Sequence, residues 1–218
     1  MTASTDTLSY FGDLPRRERM HVRGRWASCP VPEVEAEVPR AGRVLEVGCG
    51  HGLVSMHLAL RSPDRQVFGT DIDARKVAFA QQVAAAAPPE ARPVFEPRDD
   101  GSVPEGPWDA IVIVDVLYLL APDDEAALLD ACIAQLAPGG VLVLKETDVV
   151  PRWKHHLAKA QEVVATKVVR VTKGATIEFT PIDVLGTSLR DRGLDVRQRR
   201  ADKGYLHPHA LVVARRPG

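Results

Sequence analysis

The stretch VLEVGCGHG, residues 44–52, follows the start of an apolar run and holds three glycines and one acidic residue. Glycine inside a regular element costs roughly 0.5–1 kcal/mol relative to alanine, so such a concentration needs a physical reason. Gly48, Gly50 and Gly52 would leave bare backbone between a strand and the positive N-terminus of the next helix. The stretch therefore predicts a strand, a turn that a ligand approaches closely, and a helix.

The spacing within this stretch distinguishes two classes of ligand. In the dinucleotide-binding pattern G-x-G-x-x-G, the third glycine would fall on Leu53. The order found is acid-x-G-x-G-x-G, with Glu46 two residues before the first glycine. A carboxylate aimed into the turn repels a pyrophosphate and attracts a cation such as an ammonium or sulfonium group. The spacing therefore favours S-adenosylmethionine over a nicotinamide dinucleotide.

Outward from this stretch, short β-branched runs alternate with helical patterns, which predicts a parallel sheet covered by helices. Strands are predicted at 43–47, 66–72, 93–97, 109–117 and 140–146, with helices at 53–61, 74–87 and 123–137. The helix at 123–137 is expected to stop at Pro138-Gly139-Gly140. Two further strands flank the short connector 204–209 and predict a hairpin, at the edge of the sheet or inserted into it. The predicted fold class is α/β: a seven-stranded, mostly parallel, doubly wound sheet with a terminal antiparallel hairpin and helices on both faces.

Composition excludes several classes of protein. A chain of 218 residues with 45% hydrophobic content can bury one substantial core, and its net charge of −1 gives no overall attraction to nucleic acid. Its three cysteines have neither metal-ligand spacing nor the density of a disulfide scaffold. No apolar run approaches the ~20 residues needed to cross a bilayer. We expect a cytoplasmic protein with no metal, no nucleic-acid partner and no transmembrane segment; the sequence carries no indication of its oligomeric state.

Five segments resemble, in order and spacing, the motifs of the class I (Rossmann-like) S-adenosylmethionine-dependent methyltransferases. They are VLEVGCGHG at 44–52, VFGTDID at 67–73, PRDDGSVP at 97–104, WDAIVIVDVLYLL at 108–120 and LAPGGVLVLKE at 136–146. The terminal hairpin is also similar to the sixth and seventh strands of this family. The resemblance implies S-adenosylmethionine as the cofactor and S-adenosylhomocysteine as its product.

The resemblance also implies a set of cofactor-binding residues: Glu46, Gly48, Cys49, Gly50, Gly52, Asp71, Ile72, Asp99, Asp100 and Asp115. The glycine stretch would line the methionine end of the cofactor, with Glu46 reaching its amino group directly or through water. Asp71 lies about 20 residues after Gly48, the offset of an acid that binds ribose hydroxyls, and Ile72 would pack on adenine. Asp73 is the rival ribose ligand and is interpreted instead as the N-cap of the next helix.

Four of the residues that the resemblance assigns to the site need separate comment. Asp99 and Asp100 compete for the position that faces the adenine amino group, and Arg98 stands where the family usually has a glycine before that acid. Asp115, at the end of the apolar part of the fourth strand, would lie at the floor of the pocket. Cys49 is interpreted as a small packing residue rather than a nucleophile.

The catalytic candidates come from the connector between the last two strands. A sulfonium-bound methyl group is already activated, so a base is needed only if the acceptor carries a proton. His207 and His209 follow a strand expected to run parallel to its neighbours, which brings their loop to the cofactor edge of the sheet. The alternative is that both are exposed hairpin residues. If the hairpin is displaced, Glu146 is the next candidate base.

The whole chain, 1–218, is interpreted as a single methyltransferase domain. Its parts are an N-terminal cap (1–40), a cofactor-binding core (41–148), a lid-like helix with its connector (149–180), and a C-terminal helix and hairpin (181–218). The lid-like helix is predicted over 152–171 from an apolar stripe at steps of three and four: Trp153, Leu157, Ala160, Val164, Val168 and Val171.

The size and mixed character of the cap and lid favour a small, fairly apolar acceptor. The resemblance to small-molecule methyltransferases implies an acceptor from secondary or lipid metabolism. Two other functions are kept as alternatives. One is a non-catalytic S-adenosylmethionine-binding subunit that acts by pairing with a partner. The other is a nicotinamide-dependent oxidoreductase, against which Leu53 argues.

Overall fold

The computed structural model describes residues 7–148 and 180–218. Its strands are β1 (Gly42–Val47), β2 (Arg65–Asp71), β3 (Val94–Pro97), β4 (Trp108–Val114), β5 (Leu136–Thr147), β6 (Asp195–Arg200) and β7 (His209–Arg215). They form one sheet in the order β3-β2-β1-β4-β5-β7-β6. Strands β1 to β5 pair in parallel, whereas β7 pairs antiparallel with both β5 and β6. The predicted fold class is confirmed, and the hairpin is inserted so that β7 lies inside the sheet.

The helices are α1 (Arg16–Ser28), α2 (Val31–Glu35), α3 (Leu53–Arg61), α4 (Ala74–Ala85), α5 (Pro122–Gln135) and α6 (Ile182–Asp191). Short 3₁₀ turns lie at Pro89–Ala91 and Leu117–Leu119. Because successive strand residues point to opposite faces, Val44 of β1 packs with α2 and α3, while its neighbour Leu45 packs with α5 and α6. This alternation forms the two cores of a doubly wound sheet.

Helix α4 begins as the sequence predicts. The Asp73 side chain accepts hydrogen bonds from the backbone N–H groups of Arg75 (3.0 Å) and Lys76 (3.3 Å), so its prediction as the N-cap is confirmed. Helix α3 also has its predicted bounds and begins after Gly52, which has a left-handed backbone (φ +77°). Local signals therefore determine where α3 and α4 begin.

The end of β4 and the junction of α5 with β5 differ from the prediction. Strand β4 ends at Val114 rather than at 117, because Asp115 takes a left-handed conformation (φ +54°) that ends the extended backbone. Helix α5 ends at Gln135, and Leu136 already pairs with Trp108, so the expected Pro138–Gly140 helix stop lies inside β5. A register shift between Trp108 and Ala110 permits this early pairing. The predicted helix at 152–171 lies outside the described residues.

Candidate functional site

A cavity of about 670 Å³ lies at the carboxyl edge of β1, β2 and β4. Its walls are formed by the glycine stretch, the turn at 98–103, the turn that follows β4, and one side of α5. A smaller cavity of about 90 Å³ shares part of this lining and extends under α1. The larger volume lies in the range of small-molecule sites, ~300–1,000 Å³.

All three glycines of the opening stretch have left-handed backbones, but for different reasons. A Cβ at Gly48 would overlap the Cγ2 atom of Val116, and one at Gly52 would lie 2.6 Å from Cζ of Phe95. A Cβ at Gly50 would meet nothing within 4 Å. Gly48 and Gly50 line both cavities, whereas Gly52 lies outside both linings and is required for packing. Gly50 is therefore the position where bare backbone faces open space.

Glu46 lies under the smaller cavity and is only 3% exposed. Its Oε2 atom accepts hydrogen bonds from the backbone N–H (2.8 Å) and the hydroxyl of Ser55, in the first turn of α3. Burial raises the pKa of Glu46 to about 8. Burial also raises the pKa of the neighbouring Cys49 thiol far above its usual value, which disfavours the reactive thiolate form.

The end of β2 supports the glycine stretch directly. Asp71 accepts hydrogen bonds from the backbone N–H groups of Gly50 and Asp73, each at 2.8 Å, one on each carboxylate oxygen. Each oxygen keeps a second lone pair, and Asp71 lines the larger cavity. Ile72 also lines it and is 63% exposed. Both residues therefore lie where the sequence predicts.

The turn after β3 places Asp99 and Asp100, the two candidates to face the adenine amino group, in different surroundings. Asp100 lines the larger cavity and accepts a hydrogen bond from the backbone N–H of Ser102 at 2.9 Å. Asp99 is exposed and belongs to neither lining, so the structure brings Asp100 and not Asp99 to the cavity wall. Arg98 also lines the cavity, with its guanidinium 3.2 Å from the Ser102 hydroxyl. Arg98, which stands where the family usually has a glycine, therefore places a positive charge in the wall of the larger cavity.

Asp115 lies at the floor of the larger cavity in a buried ionic network. Its Oδ1 atom is 2.5 Å from Nζ of Lys145, and its Oδ2 atom is 2.7 Å from Nη1 of Arg25. Burial alone would raise the pKa of Asp115, but these two positive charges outweigh burial and hold it well below its usual range. Asp115 is therefore a permanently charged anchor.

The sequence analysis did not identify Arg25 or Lys145. A lysine within the apolar run VLVLKE, beside a strand that ends in an acid, is a signal that could have indicated the second. Nothing local distinguishes Arg25 from the other N-terminal arginines. Its position depends on the packing of α1 against the end of β4, where it also donates to the carbonyl oxygen of Val114 at 3.2 Å.

Glu146, the reserve candidate for a base, is buried and outside both linings. Its Oε1 atom accepts hydrogen bonds from the backbone N–H groups of Val116 (3.2 Å) and Leu117 (3.1 Å). Burial, together with the charge of Asp115, raises the pKa of Glu146 to about 8. Its role in this structure is to hold the turn after β4.

The connector before β7 reaches the expected edge of the sheet, but neither His207 nor His209 lines either of the two cavities described above. His209 is 2% exposed, and its Nε2 atom lies 2.6 Å from the carbonyl oxygen of Ser28. Because a carbonyl oxygen only accepts, Nε2 carries the proton. Burial lowers the pKa of His209 to about 3. The predicted base His209 is therefore corrected to a neutral residue that anchors the end of α1.

Helix α1 covers the smaller cavity. Glu18 lies 3.0 Å from both Nε2 of His51, in the glycine stretch, and Nη2 of Arg75, on α4. One helical turn later, His21 lines both cavities, as does Lys76 of α4. The N-terminal region therefore contributes directly to the site.

In the part of the chain that the structure describes, no group of three His, Cys, Asp or Glu residues could hold a metal ion. Within the same residues, no helix is long and apolar enough to cross a membrane.

Comparison with known proteins agrees with this geometry. A sequence model of the methyltransferase domain family matches residues 44–140. The ubiquinone biosynthesis O-methyltransferase of Psychrobacter cryohalolentis is 32% identical over 181 residues, which cover 81% of this chain and 67% of that protein. The trans-aconitate 2-methyltransferase of Variovorax paradoxus is 34% identical over 134 residues, 60% of this chain and 49% of that protein.

The fold is also found among solved structures. An O-methyltransferase family protein from Burkholderia thailandensis superposes with a TM-score of 0.73 at 18% identity, over 96% of this chain and 62% of that one. The chain spans half or less of the length of several curated relatives that it matches. On the sequence matches and the shared fold, this chain belongs to the class I S-adenosylmethionine-dependent methyltransferases.

Proposed function

We propose that this protein transfers the methyl group of S-adenosylmethionine to a small, largely apolar acceptor. The observation that carries this proposal is the cavity at the carboxyl edge of the sheet, where Gly50 presents bare backbone and Asp71 presents a carboxylate. In open α/β sheets, ligands bind at this edge. The family membership of the chain supports the same conclusion.

The residues present fit the cofactor. Asp71 has lone pairs left for two ribose hydroxyls, and exposed Ile72 offers an apolar surface for adenine. Asp100 stands on the same wall as an acceptor for an amino group. Glu46, under the smaller cavity, is placed to face an ammonium group, whose positive charge would favour its ionised form. These residues would hold S-adenosylmethionine, which supplies a methyl group already activated by its sulfonium charge.

The residues described at the floor of the site would help to position the reactants rather than take a proton from the acceptor. Asp115 keeps its charge through Lys145 and Arg25, and Glu146 is sealed beneath the turn that it holds. Neither group is suited to take a proton from an acceptor near neutral pH. Alignment and exclusion of water can still supply roughly 7–11 kcal/mol of the barrier.

The apolar side of the cavity supports the proposed acceptor class. Val116, Leu119, Leu120 and Leu128 line it between the turn after β4 and α5. Such a surface favours an acceptor with apolar bulk, as in secondary or lipid metabolism. The names of the two curated relatives, which refer to ubiquinone biosynthesis and trans-aconitate, concern small-molecule chemistry.

Calorimetry with S-adenosylhomocysteine and NADH tests the cofactor. We expect binding of the first and at least tenfold weaker binding of the second. Gly50→Ala should weaken S-adenosylhomocysteine binding, because its Cβ would enter the space beside the backbone. Gly193→Ala is the matched control: Gly193 also has a positive φ (+82°) and open space around it, but lies outside both linings.

No heat with the adenosyl ligand on folded protein would reject the proposal. Transfer itself is measured with radiolabelled S-adenosylmethionine against a panel of small apolar acceptors. Tight binding with no transfer to any of them would instead favour a non-catalytic binding subunit.

A further inference from the structure

Helix α1 carries five arginines, and three of them face away from the protein. Arg16, Arg17 and Arg23 are exposed, and none of them makes an ion pair or a side-chain hydrogen bond to another residue of the described chain. Arg19 instead donates to a backbone carbonyl oxygen in the turn before the helix at 2.9 Å, and Arg25 points to the floor of the larger cavity. The three outward arginines are therefore free to contact a partner outside the protein.

No acidic side chain of α1 offsets these charges on the outside. The only acid of the helix is Glu18, whose side chain is 13% exposed. Glu18 is turned inward, 3.0 Å from both Nε2 of His51 and Nη2 of Arg75. The side chain of Arg75 is itself 71% exposed, so it extends the basic surface onto α4. The chain as a whole has a net charge of −1, but this side of it is positive.

A single large apolar side chain stands among the arginines. Met20 is 62% exposed. At 100° per residue, all three outward arginines lie within about 60° of Met20 around the helix axis. Arg17 lies on one side of it, and Arg16 and Arg23 lie on the other. An exposed apolar side chain surrounded by arginines is typical of a helix that lies in the headgroup region of a membrane.

We propose that the outer face of α1, formed by Arg16, Arg17, Met20 and Arg23, binds the surface of a bilayer that contains anionic phospholipids. Each arginine near such a surface strengthens binding by roughly fivefold. The methionine side chain can enter the boundary between headgroups and acyl chains. A nucleic acid would also match the arginines, but it would leave Met20 without an apolar partner. The exposed methionine therefore favours the bilayer.

The outer face of α1 adjoins the candidate site. His21, the neighbour of Met20 in the chain, is exposed and lines both cavities. Contact with a bilayer would hold the cavities close to the headgroups, where an acceptor with apolar bulk is concentrated. The inference goes beyond the proposed function, because binding to lipid requires neither the cofactor nor methyl transfer.

Sedimentation with vesicles, in the absence of cofactor, tests this surface. One set of vesicles is phosphatidylcholine alone, and the other contains about one third phosphatidylglycerol. The parent protein should bind the anionic vesicles at least tenfold more tightly, and added salt should weaken this binding through screening. The triple variant Arg16→Gln/Arg17→Gln/Arg23→Gln keeps good helix formers on α1 and should lose at least tenfold in affinity for the anionic vesicles.

The matched control is the triple variant Arg40→Gln/Arg61→Gln/Lys203→Gln. These three residues are also exposed, and they lie outside α1. The control therefore removes the same net charge from the protein and leaves the outer face of α1 intact. It should bind the anionic vesicles within twofold of the parent.

A fluorescent probe in place of Met20 locates the contact. All three native cysteines are buried, so Met20→Cys supplies the exposed thiol for an environment-sensitive dye. The emission of this dye should shift to the blue on anionic vesicles, as the probe leaves water.

Four results would each overturn the inference. They are equal binding to both kinds of vesicle or binding to neither, equal losses in the two triple variants, an unshifted dye on sedimented protein, and tighter binding to duplex DNA than to anionic vesicles. Because no cofactor is present in these measurements, each of these results would leave the proposed function standing.

Discussion

Because Gly48 has no side chain, the glycine stretch can pack directly against Val116 in the turn after β4. The Cγ2 atom of Val116 occupies the space where a Cβ of Gly48 would lie. Glu146 holds the backbone N–H of Val116 at 3.2 Å. A buried carboxyl group on β5 thereby sets the position of the glycine stretch on β1, although the two residues are distant in sequence.

Gly48→Ala should therefore lower the free energy of unfolding by about 1–3 kcal/mol, through overlap and a strained positive φ. Val116→Ala should relieve the overlap, so the double variant should lose less than the sum of the single losses. Urea unfolding of the four proteins measures this coupling. Additive losses would show that the two loops are not in contact.

Helix α1 is anchored near its start to the glycine stretch and near its end to residues at the edge of the sheet. Near its start, Glu18 pairs with His51 at 3.0 Å, and near its end Arg25 pairs with Asp115 at 2.7 Å. His209, at the start of β7, donates to the carbonyl oxygen of Ser28, the last residue of the helix. These contacts keep α1 over the smaller cavity.

His209→Ala should lower the free energy of unfolding by about 1–3 kcal/mol, because it removes a buried side chain and leaves the partly buried carbonyl oxygen of Ser28 without its donor. It should leave the pH dependence of methyl transfer unchanged. His207→Ala, in the same connector, is the control and should alter both quantities little. A folded His209→Ala protein with normal cofactor affinity and a rate reduced by roughly 10²–10⁴ would restore a catalytic role to this histidine.

Elements with strong local signals could be predicted from the sequence. Helix α3 follows Gly52 and α4 follows the Asp73 cap, as expected. The end of β4 could not be predicted, because it depends on the left-handed conformation that Asp115 adopts within a tertiary ion network. The start of β5 depends on pairing with Trp108, which is a contact between strands rather than a property of either segment.

The residues of the candidate site also differ in whether local sequence or tertiary packing determines their positions. Gly50, Asp71 and Ile72 lie on contiguous motifs, so their spacing predicted their positions. Arg25 and His21 reach the site only because α1 packs against the glycine stretch and the end of β4. No periodicity or spacing within α1 encodes that contact.

Two buried glutamates and two buried histidines among the described residues have shifted pKa values that change stability between pH 4.5 and 8. Burial raises the pKa values of Glu46 and Glu146 from 4.5 to about 8. Burial lowers the pKa values of His57 and His209 from 6.5 to about 4 and about 3. Between pH 4.5 and 8 the folded protein keeps glutamate protons that the unfolded chain releases, so these groups lower stability as pH rises. Below pH 6.5 the two histidines bind protons in the unfolded chain but stay neutral in the folded protein. They therefore lower the free energy of unfolding as pH falls.

The two effects oppose each other between pH 4.5 and 6.5, and only the glutamates act from pH 6.5 to 8. We therefore expect a plateau of stability followed by a loss of about 1–2 kcal/mol for each glutamate up to pH 8. Glu46→Gln keeps an acceptor for Ser55 and should remove its share of that loss. Urea unfolding at a series of pH values measures both curves, and a parent stability that rises from pH 6.5 to 8 would contradict the expectation.

The insertion of β7 between β5 and β6 governs the order in which a nascent chain can complete this sheet. On the ribosome β6 emerges before β7, yet within the sheet described it pairs with β7 alone. Strand β5 likewise keeps an open edge from Val141 to Thr147 until residues 209–215 arrive. The first five strands can associate as they are synthesised, whereas β6 must wait for a strand that follows it. Closure of this edge is therefore a late step of biosynthesis, and an apolar strand edge stays exposed to other chains until then.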